Sequence, residues 1–328
     1  MEIYNYTIET NLKISKYFSA KNLCFLDIET TGFSRKYNQV YLIGLVYYDK
    51  NTHNWNLVQF FANNLNEEKE ILNNLNNQIS NFDLIVSYNG DNFDLPFIQS
   101  RMKHYNIKSK LMNINSFDIY REIRNNESYL ELDNMKLKTV EESLGIYRSD
   151  EYSGKDCINF YFQYTKTQND NYKKNILKHN YEDLFYLLEV LRILDVLKDI
   201  KSLSINMDKD ILYIEILDIR IKEDILTIVC STSPLNKKID IIHYDENFNL
   251  KWQNETSLTI DLNIREGLIT PTKKCLFINK GEFPINNDLK DLSQYMVPNN
   301  FILLKVEKKL IMKNVKNIIK DLVLYVLK

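Results

Sequence analysis

Residues 23–32 read Leu-Cys-Phe-Leu-Asp-Ile-Glu-Thr-Thr-Gly. The segment opens on an apolar run, 23–28, with the length and composition of a buried strand. Asp27 and Glu29 stand two apart at its end. Alternate residues of a strand project to the same side, so both carboxylates enter one site. Two acids this close repel each other unless a cation offsets them, and hard oxygen ligands suit Mg2+ or Mn2+. Gly32 fits a turn that brings backbone close to a ligand. A pair of solvated acids is the competing reading. Cys24-Phe25-Leu26 before the acids and Thr30-Thr31-Gly32 after them weigh against it.

Outward from this strand, the first 200 residues alternate strand-like and helix-like segments. Runs 40–48 and 55–61 read as two further strands, and their short polar connections predict an antiparallel meander. Ile71, Leu72, Leu75 and Ile79 give 67–79 helical spacing. A short strand is expected at 84–86, and a helix at 93–104 with Asp91 or Asn92 as its N-cap. A fifth strand is expected over 114–119, where Asp118 would cap a helix from Tyr120 to Arg124. The pattern of Ile176, Leu184, Leu187, Leu188, Leu191 and Leu194 predicts one long helix over 172–197.

From about residue 200 the character changes. Four of the five prolines (Pro234, Pro271, Pro284, Pro298) fall there, among short alternating runs at 211–221, 225–231, 239–243 and 258–264. These predict a small β-rich unit closed by a helix over 315–327. Two domains are therefore expected, 1–200 and 201–328.

Two further motifs accompany the acidic strand end. The first is Tyr88-Asn89-Gly90-Asp91-Asn92-Phe93-Asp94-Leu95-Pro96-Phe97-Ile98, with Asp94 in the first turn of a helix. Alone, that acid would be read as complementing the helix dipole. The second is His179-Asn180-Tyr181-Glu182-Asp183-Leu184. His179 and Asp183 share a helix face beside an apolar one, where a histidine can orient an attacking water next to a metal ligand. A His and an Asp spaced in this way are also common as a surface pair.

In this order and context the three motifs resemble the exonuclease motifs of the DEDD superfamily, whose fold is ribonuclease H-like. Residues 137–145, Leu-Lys-Thr-Val-Glu-Glu-Ser-Leu-Gly, with Arg148 and Gly154, are similar to the YprB-type ribonuclease H-like proteins of bacteria. The resemblance spans roughly the first 200 residues. It implies an α/β fold, a mixed five-stranded sheet flanked by helices, with the smaller β-rich domain following. It implies that Asp27, Glu29, Asp94 and Asp183 are the metal-binding carboxylates of a two-metal-ion phosphodiester hydrolysis. Asp27 would bridge both ions, with Glu29 and Asp183 on the water-activating one and Asp94 supporting the other. Proofreading-type members carry a His five residues before the last Asp, where this chain has Lys178. Polymerase-associated members carry a Tyr four before it, where this chain has His179. His179 is thus the expected counterpart that positions or deprotonates the water, with Tyr181 the second candidate. Thr30, Asn89 and Phe93 are candidate substrate contacts, Phe93 having a place in the core as its competing reading.

Arg101, Lys103, Lys108 and Lys110 read either as phosphate contacts or as a solvated face. Glu141 and Glu142 read as exposed helix residues without a role. The net charge of −2 argues against a strongly basic nonspecific binder but leaves room for a local basic rim. Four scattered cysteines indicate neither a zinc site nor a disulfide framework, and read as small buried apolar residues in a reducing compartment. No basic segment followed by an apolar run marks a signal peptide and no apolar stretch is long enough to span a bilayer, so a cytoplasmic protein without a membrane partner is expected.

The expected function is a metal-dependent nuclease on DNA or RNA, a 3′–5′ exonuclease on single-stranded ends using two Mg2+ or Mn2+ ions. The alternative is a catalytically silent ribonuclease H-like module for nucleic-acid binding or assembly, favoured only by the Tyr-to-His change. The C-terminal unit reads as a nucleic-acid-binding β-domain, a partner-docking module or a structural cap. Lys305, Lys308, Lys309 and Lys313 lean toward the first. Oligomeric state is left open.

Overall fold

The run at 23–28 becomes the heart of strand β2 (Leu23–Thr30), in which every residue but Asp27 is buried. A strand covered on both faces must be apolar nearly throughout, which is why its two acids stand out. The computed structural model describes residues 1–19, 22–148, 152–207, 210–235 and 239–328. They form two compact units, 1–125 with 132–193, and 126–131 with 194–328.

In the first unit, β2 pairs antiparallel with β3 (Val40–Asp49), which pairs antiparallel with β4 (Asn54–Phe61), giving the expected meander. On its other side β2 pairs parallel with β5 (Leu84–Ser87), and β5 with β6 (Asn115–Asp118). The sheet has six strands rather than the five expected. The sixth is β1 (Glu2–Ile8), antiparallel to β4, in the order β1-β4-β3-β2-β5-β6. Only Ile8 of β1 is buried, so an edge strand of mixed polarity left no apolar run to read.

Helices α1 (Glu68–Ile79), α2 (Asp94–His104), α3 (Ile119–Asn125), α4 (Leu137–Ser143), α5 (Gly154–Thr167) and α6 (Asp170–Val190) flank this sheet. A further helix, α7 (Arg192–Lys201), follows immediately. The single helix expected over 172–197 is therefore two, broken at Leu191 without a proline or glycine. Helix α2 is capped by Phe93, which makes no side-chain cap bond, so neither Asp91 nor Asn92 is the N-cap. Asp91 instead pairs with Arg121. Helix α6 packs on β2, β3 and β4, and α5 packs on α6 and β2. That arrangement brings residues some 150 positions apart in sequence to the end of β2.

Arg101 is neither a phosphate contact nor a solvated residue. It is buried, and its guanidinium grips Glu68 through Nε at 2.8 Å and a terminal nitrogen at 2.6 Å. Lys103, Lys108 and Lys110 remain exposed. Glu141 is wholly buried, contrary to expectation, whereas Glu142 is exposed.

The second unit is β-rich, as expected. Its larger sheet comprises β7 (Ser202–Asn206), β8 (Ile211–Lys222), β9 (Ile225–Thr232), β10 (Ile241–Tyr244), β11 (Phe248–Gln253) and β12 (Ser257–Asn263), in the order β10-β11-β12-β9-β8-β7. A second sheet joins β13 (Arg265–Leu268), β14 (Lys274–Asn279), β15 (Phe301–Val306) and β16 (Lys309–Leu310) in sequence order. Helix α8 (Met312–Val326) closes the chain as expected. Among the described residues no helix is long and apolar enough to cross a membrane.

Candidate active site

Asp27 and Glu29 leave β2 on the side covered by α6, which supplies His179, Asn180 and Asp183. One carboxylate oxygen each from Asp27, Glu29 and Asp183 lies within 4.8 Å of the other two. His179 Nε2 stands 3.7 Å from Glu29 Oε1 and 3.7 Å from Asp183 Oδ2. Three of the predicted carboxylates and the predicted histidine thus share one centre.

Asp94 approaches the same strand end from α2. Its Oδ1 accepts the Ile28 backbone N–H at 3.1 Å, tying the first turn of α2 to β2. Asp94 is buried but is outside the three-carboxylate group, and it feels the charges of Asp118 and Asp183. Burial pushes its carboxyl up to about 7, although two backbone hydrogen bonds draw it down. Asp27 is driven well above the ordinary carboxylate range, first by burial and then by the charges of Asp183, Asp94 and Glu29. Like charges gathered at a strand end are what a divalent cation would neutralise, and the all-oxygen donor set suits a hard one.

The surroundings hold these groups in place. Asn180 Nδ2 donates to Asp27 Oδ2 at 2.7 Å, while Gln59 Nε2 donates to Asn180 Oδ1 at 2.8 Å and to the Leu177 carbonyl at 2.9 Å. Asp118 behaves as the predicted cap, accepting the N–H groups of Tyr120 and Arg121 at 3.0 and 3.4 Å. It also accepts those of Asn89 at 2.8 Å and Asp91 at 3.2 Å, so the same carboxylate fastens the loop leading to Asp94. Asn89 holds φ +62° there.

The sequence alone points to no chemical role for Arg148. Its guanidinium pairs with Glu141 and, through another nitrogen, with Asp183. The Arg148 and Glu141 side chains are 9% and 1% exposed. Burial lifts the Glu141 carboxyl and Arg148 draws it down.

The candidate substrate contacts fare differently. Thr30 is buried and donates its hydroxyl to the Gly32 carbonyl at 2.8 Å, closing the turn after the acids. A Cβ on Gly32 would meet Asn38 Oδ1 at 2.8 Å, so the turn has no room for a side chain. Asn89 engages Asn92 through its side chain at 3.0 Å. Phe93 is half-buried, its ring 5.5 Å from Phe97 and 6.1 Å from Phe33. Phe33 itself is 84% exposed, three residues beyond Thr30 and edge-on to Phe93. Tyr181 packs its ring against Tyr6 and Phe185.

A mixed sheet with α6 laid across it, and paired carboxylates at the end of the central strand, define a ribonuclease H-like domain. Residues 24–194 match the family model described as RNase_H superfamily, and the chain belongs to that superfamily. It is 30% identical over 205 residues to the uncharacterized protein YprB of Bacillus subtilis (strain 168). That alignment covers 60% of this chain and 45% of YprB, so the chain spans less than half the length of this relative. Among solved structures it is similar to the family B DNA polymerase of the archaeon Pyrobaculum calidifontis, with 13% identity, TM-score 0.43, and 53% of this chain and 24% of that chain covered. It is also similar to an E. coli ExoI–ssDNA complex, with 12% identity, TM-score 0.33, and coverage of 64% and 54%.

Proposed function

We propose that the chain is a metal-dependent nuclease acting as a 3′–5′ exonuclease on single-stranded DNA or RNA ends. The observation that carries this reading is the convergence of Asp27, Glu29 and Asp183 within 4.8 Å, with His179 Nε2 between two of them. Asp27, Glu29 and Asp183 would hold divalent cations, Mg2+ or Mn2+, with Asp94 in support. Such ions, when bound, supply a Lewis acid that makes water more acidic and offsets phosphate charge.

The chain's own residues would do the rest. His179 takes a proton from the attacking water at Nε2, and Glu29 and Asp183 stabilise the imidazolium that results. Asn180 fixes the rotamer of Asp27, and the Ile28 N–H fixes that of Asp94. The exposed Phe33, backed by Phe93, offers a face on which a terminal base can stack. Such stacking is sequence-tolerant and worth about 1–3 kcal/mol per base.

One observation favours the alternative, a silent binding module: Arg148 already offsets the charge of Asp183. The two readings part on one experiment. End-labelled single-stranded DNA and RNA are incubated with Mn2+ and either the wild type or the Asp27→Ala/Glu29→Ala variant. Loss of 3′-directed degradation in the variant is expected, and undiminished degradation overturns the assignment. Calorimetry showing no Mn2+ binding at millimolar concentration would support the silent module.

A further inference from the structure

Cys157 lies in the first turn of α5, which Ser153 and Asp156 close with a reciprocal capping box. The residue is wholly buried, and a lone cysteine of this kind reads from the sequence as apolar filling. Filling accounts for its burial but not for its neighbours. Its Sγ, a carboxylate oxygen of Glu29 and a ring nitrogen of His179 all lie within 4.8 Å of one another. The three residues come from α5, β2 and α6, three elements packed together, and all three are buried. Tyr41, wholly buried, lies within electrostatic reach of both Glu29 and Cys157.

We propose that Cys157, His179 and Glu29 form a second cation site that takes zinc and competes with the all-oxygen site for Glu29. The donor sets differ in kind. Asp27, Glu29 and Asp183 offer oxygen alone and select a hard ion, whereas sulfur, imidazole nitrogen and one carboxylate oxygen select a softer one. Three protein ligands with a fourth position open is a familiar zinc arrangement. Zinc bond lengths of about 2.0–2.3 Å put tetrahedral donors roughly 3.3–3.8 Å apart, a spacing that His179 Nε2 and Glu29 Oε1 already meet at 3.7 Å. The thiol proton leaves to solvent and the imidazole binds in its neutral form, so charge and protons balance.

Glu29 is common to both donor sets, and His179 is the proposed base. Zinc in the inner site therefore withdraws both from hydrolysis and acts as an inhibitor. The inhibitory half of the proposal rests on the nuclease reading, while the binding half stands without it.

The test uses the full metal-free chain with Co2+ as a spectroscopic stand-in for zinc. One equivalent is expected to give a near-ultraviolet sulfur-to-cobalt charge-transfer band, which Zn2+ bleaches. The band should vanish in Cys157→Ala, which also separates it from the buried Cys24, Cys230 and Cys275. Zn2+ affinity should fall about 100-fold or more in that variant, since even outer-shell partners cost roughly 10–100-fold. Mn2+ affinity should stay at the wild-type value. If Cys157→Ala does not fold, Cys157→Ser gives the same readout. Absence of the band in the folded wild type, or an undiminished band in the Cys157 variant, overturns the site. In a nuclease assay, Zn2+ should inhibit the wild type at concentrations that leave the Cys157 variant active. Equal inhibition of both overturns the competition, and an inactive wild type refutes the nuclease reading while the absorption result still decides binding.

Discussion

Asn180 donates its side-chain amide to Asp27 at 2.7 Å, and it can reach because Gly44, the cross-strand partner of Asp27, has no side chain. A Cβ on Gly44 would sit 2.4 Å from Asn180 Oδ1 and 2.4 Å from Leu184 Cδ1. The glycine is what lets α6 approach the end of β2 closely enough to share a metal site.

Gly44→Ala is therefore expected to act at a distance. Overpacking should cost about 1–3 kcal/mol of stability. Displacing Asn180 should lower Mn2+ affinity about 10–100-fold, as loss of an outer-shell partner does. Asn180→Ala should reproduce the affinity loss without the overpacking. Melting curves and Mn2+ calorimetry on both variants check this, and wild-type affinity in Gly44→Ala would show that the close approach is irrelevant to the site.

Burial raises the Asp94 carboxyl from an ordinary 3.8 to about 7. The folded chain thus holds this proton more tightly than the unfolded one. Its stabilising contribution is complete below pH 3.8 and is lost as pH rises through about 7. Asp94→Asn removes the titration while keeping an oxygen to accept the Ile28 N–H. In EDTA, the variant should be more stable than wild type by an amount on the order of 4 kcal/mol at pH 8, with the gap shrinking toward pH 4. Saturating Mn2+ should reverse the order at pH 8, because only wild type keeps all the carboxylates. Urea titrations at several pH values measure it, and a pH-independent gap would discard the account.

Asp118 accepts four backbone N–H groups, two in α3 and two in the loop that leads to Asp94. Asp118→Ala should cost about 1–3 kcal/mol, combining a lost cap with half-buried donors left without their acceptor. Hydrogen exchange should report faster opening at Asn89 and Asp91 as well as in α3. Faster exchange confined to α3 would reduce Asp118 to a helix cap alone.

The sequence carried the central strands and the acids because both leave local marks. A buried strand must be apolar, so Asp27 and Glu29 are conspicuous in β2. His179 and Asp183 are one turn apart, so a helix repeat places them together. What escaped notice lacks such marks. Strand β1 is an edge with Ile3 and Tyr6 exposed, and its pairing with β4 is visible only in three dimensions. Helix α5 buries Cys157, Tyr161 and Tyr164, a stripe whose aromatic hydroxyls and single thiol do not read as a core face. Arg101 looked like a free cation because its partner, Glu68, lies 33 residues earlier. The cysteines showed no zinc spacing because the partners of Cys157 are Glu29 and His179, neither adjacent in sequence.

Arg148 lies between two acids with different jobs. Toward Glu141 it is the counter-ion of a buried carboxylate; toward Asp183 it is a cation where another cation would bind. Arg148→Met should therefore have effects of opposite sign. Leaving Glu141 unpaired at 1% exposure should cost about 3–5 kcal/mol of stability, much of it recovered in Glu141→Gln/Arg148→Met. Removing a positive charge in contact with a metal-site carboxylate should tighten Mn2+ binding, on the order of 1 kcal/mol or about fivefold after solvent screening. The double variant separates the two effects, because it restores the fold while leaving Asp183 free of its guanidinium. Calorimetry on that variant is decisive. Tighter Mn2+ binding identifies Arg148 as a charge that masks Asp183 until metal displaces it. Weaker binding would mean that Arg148 instead holds Asp183 in position for the ion.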